Sequence, residues 1–354
     1  MKADAPDFQE FSSVIRGQKD AMRVHLIELI LSQKLCQYVS ECLLDRQWVP
    51  LSPDTVREHW DGQIAVWHNL GYDYIRVAGG LLFPMRRREV AEPAFGAARQ
   101  WVEEGRGMVS SWEEFEAYPW PGIAQEAFVP YEYVSARLPE GMKMLVCPSS
   151  GVFEVASEHI LGFEGMSYLI ADQPDLVEAV FNRVGELILS FYEQVVDIDG
   201  VGGFFQGDDL GFKTGTFLSP ELLRRWVIPW HRRYATLAHD RGKLYLFHCC
   251  GDISQVMDDF IDDVKIDGLH SFQDTIFSAA EFRRRWGLRT AALGGVDVDK
   301  LCQLPEQELR RYVRSVLDAC MPKRYALGSG NSITEYTPVE NYLIMRDEGR
   351  KWTG

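Results

Sequence analysis

The chain has 354 residues and carries 37 Lys and Arg against 52 Asp and Glu, a formal charge of −15, which argues against an electrostatic grip on nucleic acid or an anionic membrane. Its N-terminus is charged and no apolar run approaches the ~18 residues of a span, so neither a signal peptide nor a membrane segment is expected and the cytoplasm is the expected location. Seven scattered Cys argue against a disulfide framework.

In chain order, residues 22–42 read as a helix, with Val24, Ile27, Ile30, Leu31, Leu35 and Tyr38 near one face. A helix at 60–70 feeds a strand at 71–77. Residues 85–122 are rich in Arg, Glu, Trp and Pro without clear periodicity and read as a long excursion over the mouth of the fold, where such loops act as lids or binding walls. Arg86, Arg87 and Arg88 in that excursion would meet a carboxylate if it covers the site, whereas Arg283, Arg284 and Arg285 read as a solvated face. A strand at 142–147 ends in Pro148-Ser-Ser-Gly151, and Pro174 opens a helix whose stripe runs from Leu176 to Phe191.

From residue 199 onward a short apolar strand ends in a turn and a helical pattern follows, five times over: 199–206, 243–247, 266–269, 290–293 and 324–327. Ser219 before Pro220 suits an N-cap, Pro229 should kink the helix that follows, and Gly242 closes it. Thr337-Pro-Val-Glu340 has the form of a capping box. Cys36, Cys42, Cys302 and Cys320 fall on helices or their edges as core thiols.

Strand alternating with helix implies parallel strands joined by right-handed crossovers. No linker interrupts the chain, and its length suits one α/β domain over 1–354, a (β/α)8 TIM barrel of ~250 residues with a helical N-terminal elaboration. The elaboration is placed at 1–53 and the barrel at 54–354. In that fold the loops after the strands build the active site, and the polar residues fall there: Asp208, Asp209, His248, Cys250, His270, Asp297, Ser329 and Asn331.

Leu244-Tyr-Leu-Phe-His248-Cys249-Cys250-Gly251 is a strand emptying into a turn. Side chains at i and i+2 point the same way, so His248 and Cys250 can share one metal ion, and imidazole with thiolate suits zinc. The competing reading is a buried Cys beside a hydrogen-bonded core His. Cys249 should face away and pack. Asp208 and Asp209 must diverge by the same alternation, one acting and one supporting or capping. Asp208 is the choice for the acting role because Gly207 lets its backbone approach a ligand. His270 either contacts substrate or pairs with Asp274, Asp297 caps a helix or meets a ligand, and Asn331 and Ser332 serve the site or hold the last loop.

The chain resembles the uroporphyrinogen decarboxylase superfamily from about Asp54 onward. Gly207-Asp-Asp-Leu-Gly211, Leu218-Ser-Pro-Glu221, Pro229-Trp230, Phe247-His-Cys-Cys-Gly-Asp252, Leu293-Gly-Gly-Val-Asp297, Leu327-Gly-Ser-Gly-Asn331 and Thr337-Pro-Val-Glu-Asn341 carry the likeness. It implies a (β/α)8 barrel, a homodimer and one of two chemistries. One is metal-free decarboxylation, whose Arg-Gln-Ala-Gly-Arg signature near the first strand is not expected here. The other is zinc-dependent methyl transfer to or from a corrinoid cofactor, as in methylcobamide:coenzyme M methyltransferases and some O-demethylase components.

The methyltransferase branch uses His-x-Cys after the fifth strand, matched by His248 and Cys250, and a further Cys after the eighth, where Ser329 stands. Zn2+ would then need an oxygen ligand: Asp208 by preference, Asp209 or Glu154 otherwise. The implied mechanism has zinc polarising the heteroatom of a small methylated substrate while Co(I) attacks the methyl carbon. Asp208, Asp209, His270 and Asn331 are the expected catalytic set. No corrinoid-binding Asp-x-His-x-x-Gly occurs, so the cobamide would arrive on a partner protein. The alternatives are a metal-free decarboxylase or lyase using Asp208 or Asp209 as acid and base, and a non-catalytic binding barrel. Substrate choice would lie in residues 85–122 and 148–164.

Overall fold

The computed structural model describes residues 5–85, 87–90, 99–102 and 107–352. Its centre is a seven-stranded sheet whose strands follow one another in space as they do in sequence: β1 (Tyr74–Ala78), β2 (Lys143–Cys147), β3 (Val201–Gly207), β4 (Leu244–His248), β5 (Gly268–His270), β6 (Ala291–Leu293) and β7 (Tyr325–Ala326). Every neighbouring pair is parallel. All five residues of β4 are buried, which is why these strands read as continuous apolar runs rather than as alternations. Parallel pairing also gathers every C-terminal strand end, and the polar residues beyond it, on one side.

Two expectations for the N-terminal part change. Residues 22–32 are not helical; Leu26 instead forms an isolated parallel bridge to Leu327, with the Leu327 N–H donating to His25 O at 2.8 Å and the Ile27 N–H donating to Leu327 O at 2.9 Å. On the other side the Tyr74 hydroxyl of β1 donates to Glu28 O at 2.6 Å and accepts from Glu28 N at 2.7 Å. The segment therefore touches both edge strands of a curled sheet, but among the described residues it completes no eighth hydrogen-bonded strand. The helical spacing of Val24, Ile27 and Ile30 loses to these tertiary bonds, and the helix begins only at Gln33, capped by Ser32. Strand count shifts as well: β1 pairs directly with β2, so His248 ends the fourth strand of the sheet and Ser329 follows the seventh.

The helices follow their local signals more closely. Val56–Leu70 ends at Gly71, whose φ of 89° is the left-handed cap a Cβ would resist. Pro174–Val195 buries the whole stripe from Leu176 to Phe191. Ser219 caps Pro220–Trp226, and the chain breaks at Val227 before Ile228–Asp240 because Pro229 can donate no backbone hydrogen bond. The capping box at 337–340 does not form: the Thr337 hydroxyl accepts from Thr334 N at 3.2 Å, and Val339–Lys351 starts from Pro338 without a side-chain cap. In the excursion, Arg87–Val90 pairs antiparallel with Arg99–Val102 and Trp112–Ala117 is helical. Arg86 lies outside the described residues, as do the side chains of Arg87 and Arg88. No described helix is long and apolar enough to cross a membrane.

Candidate metal centre

β4 delivers His248 to the C-terminal edge, and Cys250 projects to the same side two residues on. His248 Nε2 lies 3.5 Å from Cys250 Sγ and 3.6 Å from Asp209 Oδ1. These donor atoms form a set within 4.8 Å of one another. Asp209 is drawn in by backbone as well, its Oδ1 accepting from Cys250 N at 2.7 Å. One imidazole, one thiol and one carboxyl on a strand end form a donor set that zinc takes in catalytic sites, with a fourth position left for substrate.

Electrostatics fit a cation at that point. Burial and the Asp209 carboxylate push the Cys250 thiol up to about 12. Burial also raises Asp209. Burial, His270 and Arg76 hold His248 well below the usual imidazole range, so the ring is neutral with a lone pair to offer. A divalent ion reverses the penalty on thiolate and carboxylate and needs the imidazole neutral.

The environment of His270 differs from both expectations. It is fully buried, its Nδ1 stands 2.6 Å from His248 Nδ1, and burial drives it down to about 3. It neither reaches the open mouth nor pairs with Asp274, whose carboxylate accepts from Lys300 Nζ at 2.6 Å and the Tyr312 hydroxyl at 2.7 Å. A ring in this position orients a metal-binding imidazole from behind.

The two neighbouring carboxylates have different surroundings. Asp208 accepts from Phe153 N at 3.0 Å, Glu154 N at 2.9 Å and His231 Nε2 at 2.9 Å, and His231 Nδ1 continues to the Tyr245 hydroxyl at 2.7 Å. It is buried and caps the helix starting at Val152; a Cβ on Gly151 would stand 2.0 Å from its carboxyl carbon, so glycine is needed there. Asp208, chosen as the metal ligand, is thus engaged elsewhere, and the carboxylate beside His248 and Cys250 is that of Asp209. Asp297 is a helix cap, accepting from Asp299 N and Lys300 N. Cys249 packs in the core, its Sγ accepting from Leu210 N at 3.2 Å.

Ser329 is not turned toward the centre. Its N–H and Oγ donate to the two carboxyl oxygens of Glu28 at 2.7 and 2.6 Å, deep in the protein. Asn331, two residues on, does reach the centre, its Nδ2 donating to Cys250 Sγ at 3.2 Å.

Two cavities adjoin the centre. The mouth holds about 510 Å3 and is lined by Arg76, Glu154, Asp209 and His248 among others. Burial, with Asp208, Asp209 and Glu158 nearby, raises Glu154 to about 8. A second cavity of about 260 Å3 lies beside Cys250 and Asn331. Arg76 was not anticipated. It stands on β1 facing the mouth, and its buried Nε has no hydrogen-bond partner among the described residues.

The description "Uroporphyrinogen decarboxylase (URO-D)" belongs to the family model that matches residues 132–352, well over half of the chain. No curated protein sequence matches. Among solved structures, a methyltransferase from Methanosarcina mazei superposes with a TM-score of 0.71 at 14% identity, covering 98% of both chains. A putative vitamin-B12 independent methionine synthase from Listeria monocytogenes gives 0.53 at 11% identity, over 94% of this chain and 97% of that one. A B12-independent methionine synthase from a Shewanella species gives 0.54 at 12% identity with the same coverage. At these identities the structural likeness speaks for the fold.

Proposed function

The chain belongs to the uroporphyrinogen decarboxylase family, and from that premise we propose that it is a zinc-dependent methyltransferase acting between a small methylated molecule and the cobalt of a separate corrinoid protein. The carrying observation is the convergence of His248 Nε2, Cys250 Sγ and Asp209 Oδ1 on one point at the mouth of the strand ends. Bound there, zinc would supply Lewis acidity toward the heteroatom that bears the methyl group. The Methanosarcina mazei neighbour is named a methyltransferase, which supports the same reading.

The chain's own residues have separable tasks. His248 offers a neutral nitrogen, held in orientation by His270. Cys250 gives up its proton when a cation arrives beside the Asp209 carboxylate, and the Asn331 amide steadies the resulting thiolate. Glu154, raised to about 8, keeps a proton at neutral pH on the mouth side and is placed to hand it to a departing heteroatom.

A second reading has its own observation. Arg76 and the protonated Glu154 flank one cavity, as a metal-free decarboxylase would need to grip and protonate a carboxylated substrate. Metal analysis of protein purified under zinc-replete conditions separates the two. The methyltransferase reading expects about one zinc per chain, lost in His248→Ala, Cys250→Ala and Asp209→Ala. A metal-free native protein would transfer the assignment to the decarboxylase.

A further inference from the structure

The 260 Å3 cavity beside Cys250 lies among the loops that follow β4, β5, β6 and β7, away from the Arg76 side of the mouth. It is near the lower end of ligand-sized pockets. Met257, Ile276, Phe277, Phe282 and Trp286 give it an apolar wall. The Trp286 ring centroid is 5.5 Å from that of Phe277 and 5.6 Å from that of Phe282, the spacing of aromatic rings packed on one another.

Its charge is one-sided. Asp252, Asp297 and Asp299 line it, and among the described residues no Lys, Arg or His does. Asp297 is occupied by backbone N–H groups. Asp252 accepts only from Ser254 N, and Asp299 accepts nothing among the described residues. Arg285, whose guanidinium is 5.2 Å from the Trp286 ring, is exposed, paired with Glu281 at 3.8 Å, and does not line the cavity. Cys250 is among its lining residues, and its Sγ accepts from the Asn331 amide at 3.2 Å and the Ser271 hydroxyl at 3.8 Å.

We propose that this cavity holds the body of the methyl donor, and that the donor is a small uncharged or cationic molecule with a flat apolar ring whose methyl-bearing heteroatom points at Cys250. This rests on the methyltransferase reading above. The aromatic wall takes the ring, the Asp252 and Asp299 carboxylates repel an anion, and Cys250, which lines the cavity, joins it to the set of three donor atoms.

The test uses the zinc-replete full-length protein and three probes sharing one methoxy-substituted ring: 4-methoxyphenol, 4-methoxybenzylamine and 4-methoxybenzoate. Calorimetric titration should show binding of the neutral or the cationic probe, or both, with the benzoate weaker by about tenfold or more. Comparing the first two tells which of the admitted charges the cavity prefers. Asp252→Asn combined with Asp299→Asn should close most of the gap to the benzoate. Ile276→Trp should remove binding of all three; if that variant does not fold, the charge variants decide alone. Equal or tighter binding of benzoate, or no binding of any probe, overturns the proposal. Zinc content is measured on the same samples. Normal zinc with no ring binding sinks this inference and leaves the methyltransferase reading standing, whereas selective ring binding without zinc sinks that reading and with it the donor's role.

Discussion

Nδ1 of His248 and Nδ1 of His270 lie 2.6 Å apart, so a single proton serves both rings. For His248 Nε2 to face a metal, that proton belongs on His248 Nδ1 and His270 accepts it. His270→Ala should therefore lower zinc affinity by about 10–100-fold with the three donors intact. Competition against a chromophoric chelator measures this. Unchanged affinity would reduce the pair to core packing.

The adjacent aspartates should separate cleanly. Asp208→Ala removes a buried acceptor from two backbone N–H groups and His231, and should cost about 3–5 kcal/mol of stability. Asp209→Asn should melt near the parent temperature but lose zinc. Urea unfolding and metal analysis of the two variants check the division, and the reverse pattern would restore Asp208 to the centre.

Ser329→Cys should leave zinc affinity unchanged, because residue 329 faces Glu28. It should cost about 1–3 kcal/mol, the loss of a short donor to a buried carboxyl group. A thiol here that tightened zinc would show the side chain turned the other way.

Glu28 gives stability a pH slope. Burial raises its carboxyl from 4.5 to about 8. Between those values the fold keeps a proton that the unfolded chain has released, so the stabilisation present below pH 4.5 is lost as pH rises through about 8. Glu154 adds the same sign. Glu28→Gln should flatten the fall in melting temperature across this window, raising it at the alkaline end by roughly 1–2 °C per kcal/mol recovered. A parent whose melting temperature rises from pH 5 to 8 would contradict the burial argument.

The strands from Val201 to Ala326 were legible because buried parallel strands are apolar throughout and end abruptly in polar residues. The facing of His248 and Cys250 followed from the two-residue period of a strand. What escaped was decided at a distance. Nothing near Asp208 announces that it caps a helix starting more than fifty residues earlier. Nothing near Leu26 announces a bridge to Leu327, and its neighbours have a helix's spacing. Arg76 was passed over, since a lone Arg inside an apolar strand does not announce the cavity it lines. Ser329 matched a ligand position by alignment, while its partner Glu28 stands in a segment read as an extension.

Glu28 and Ser329 are 301 residues apart. A ribosome adding 5–20 residues per second needs about 15–60 s to travel between them. For that interval a carboxyl group destined for the interior, and the segment meant to sit between the two edge strands, have no partner on the far side. The nascent chain must emerge as an unsealed sheet with its first and last strands waiting. The segment around Leu26 is therefore where a chaperone or a stray strand would compete with the protein's own completion.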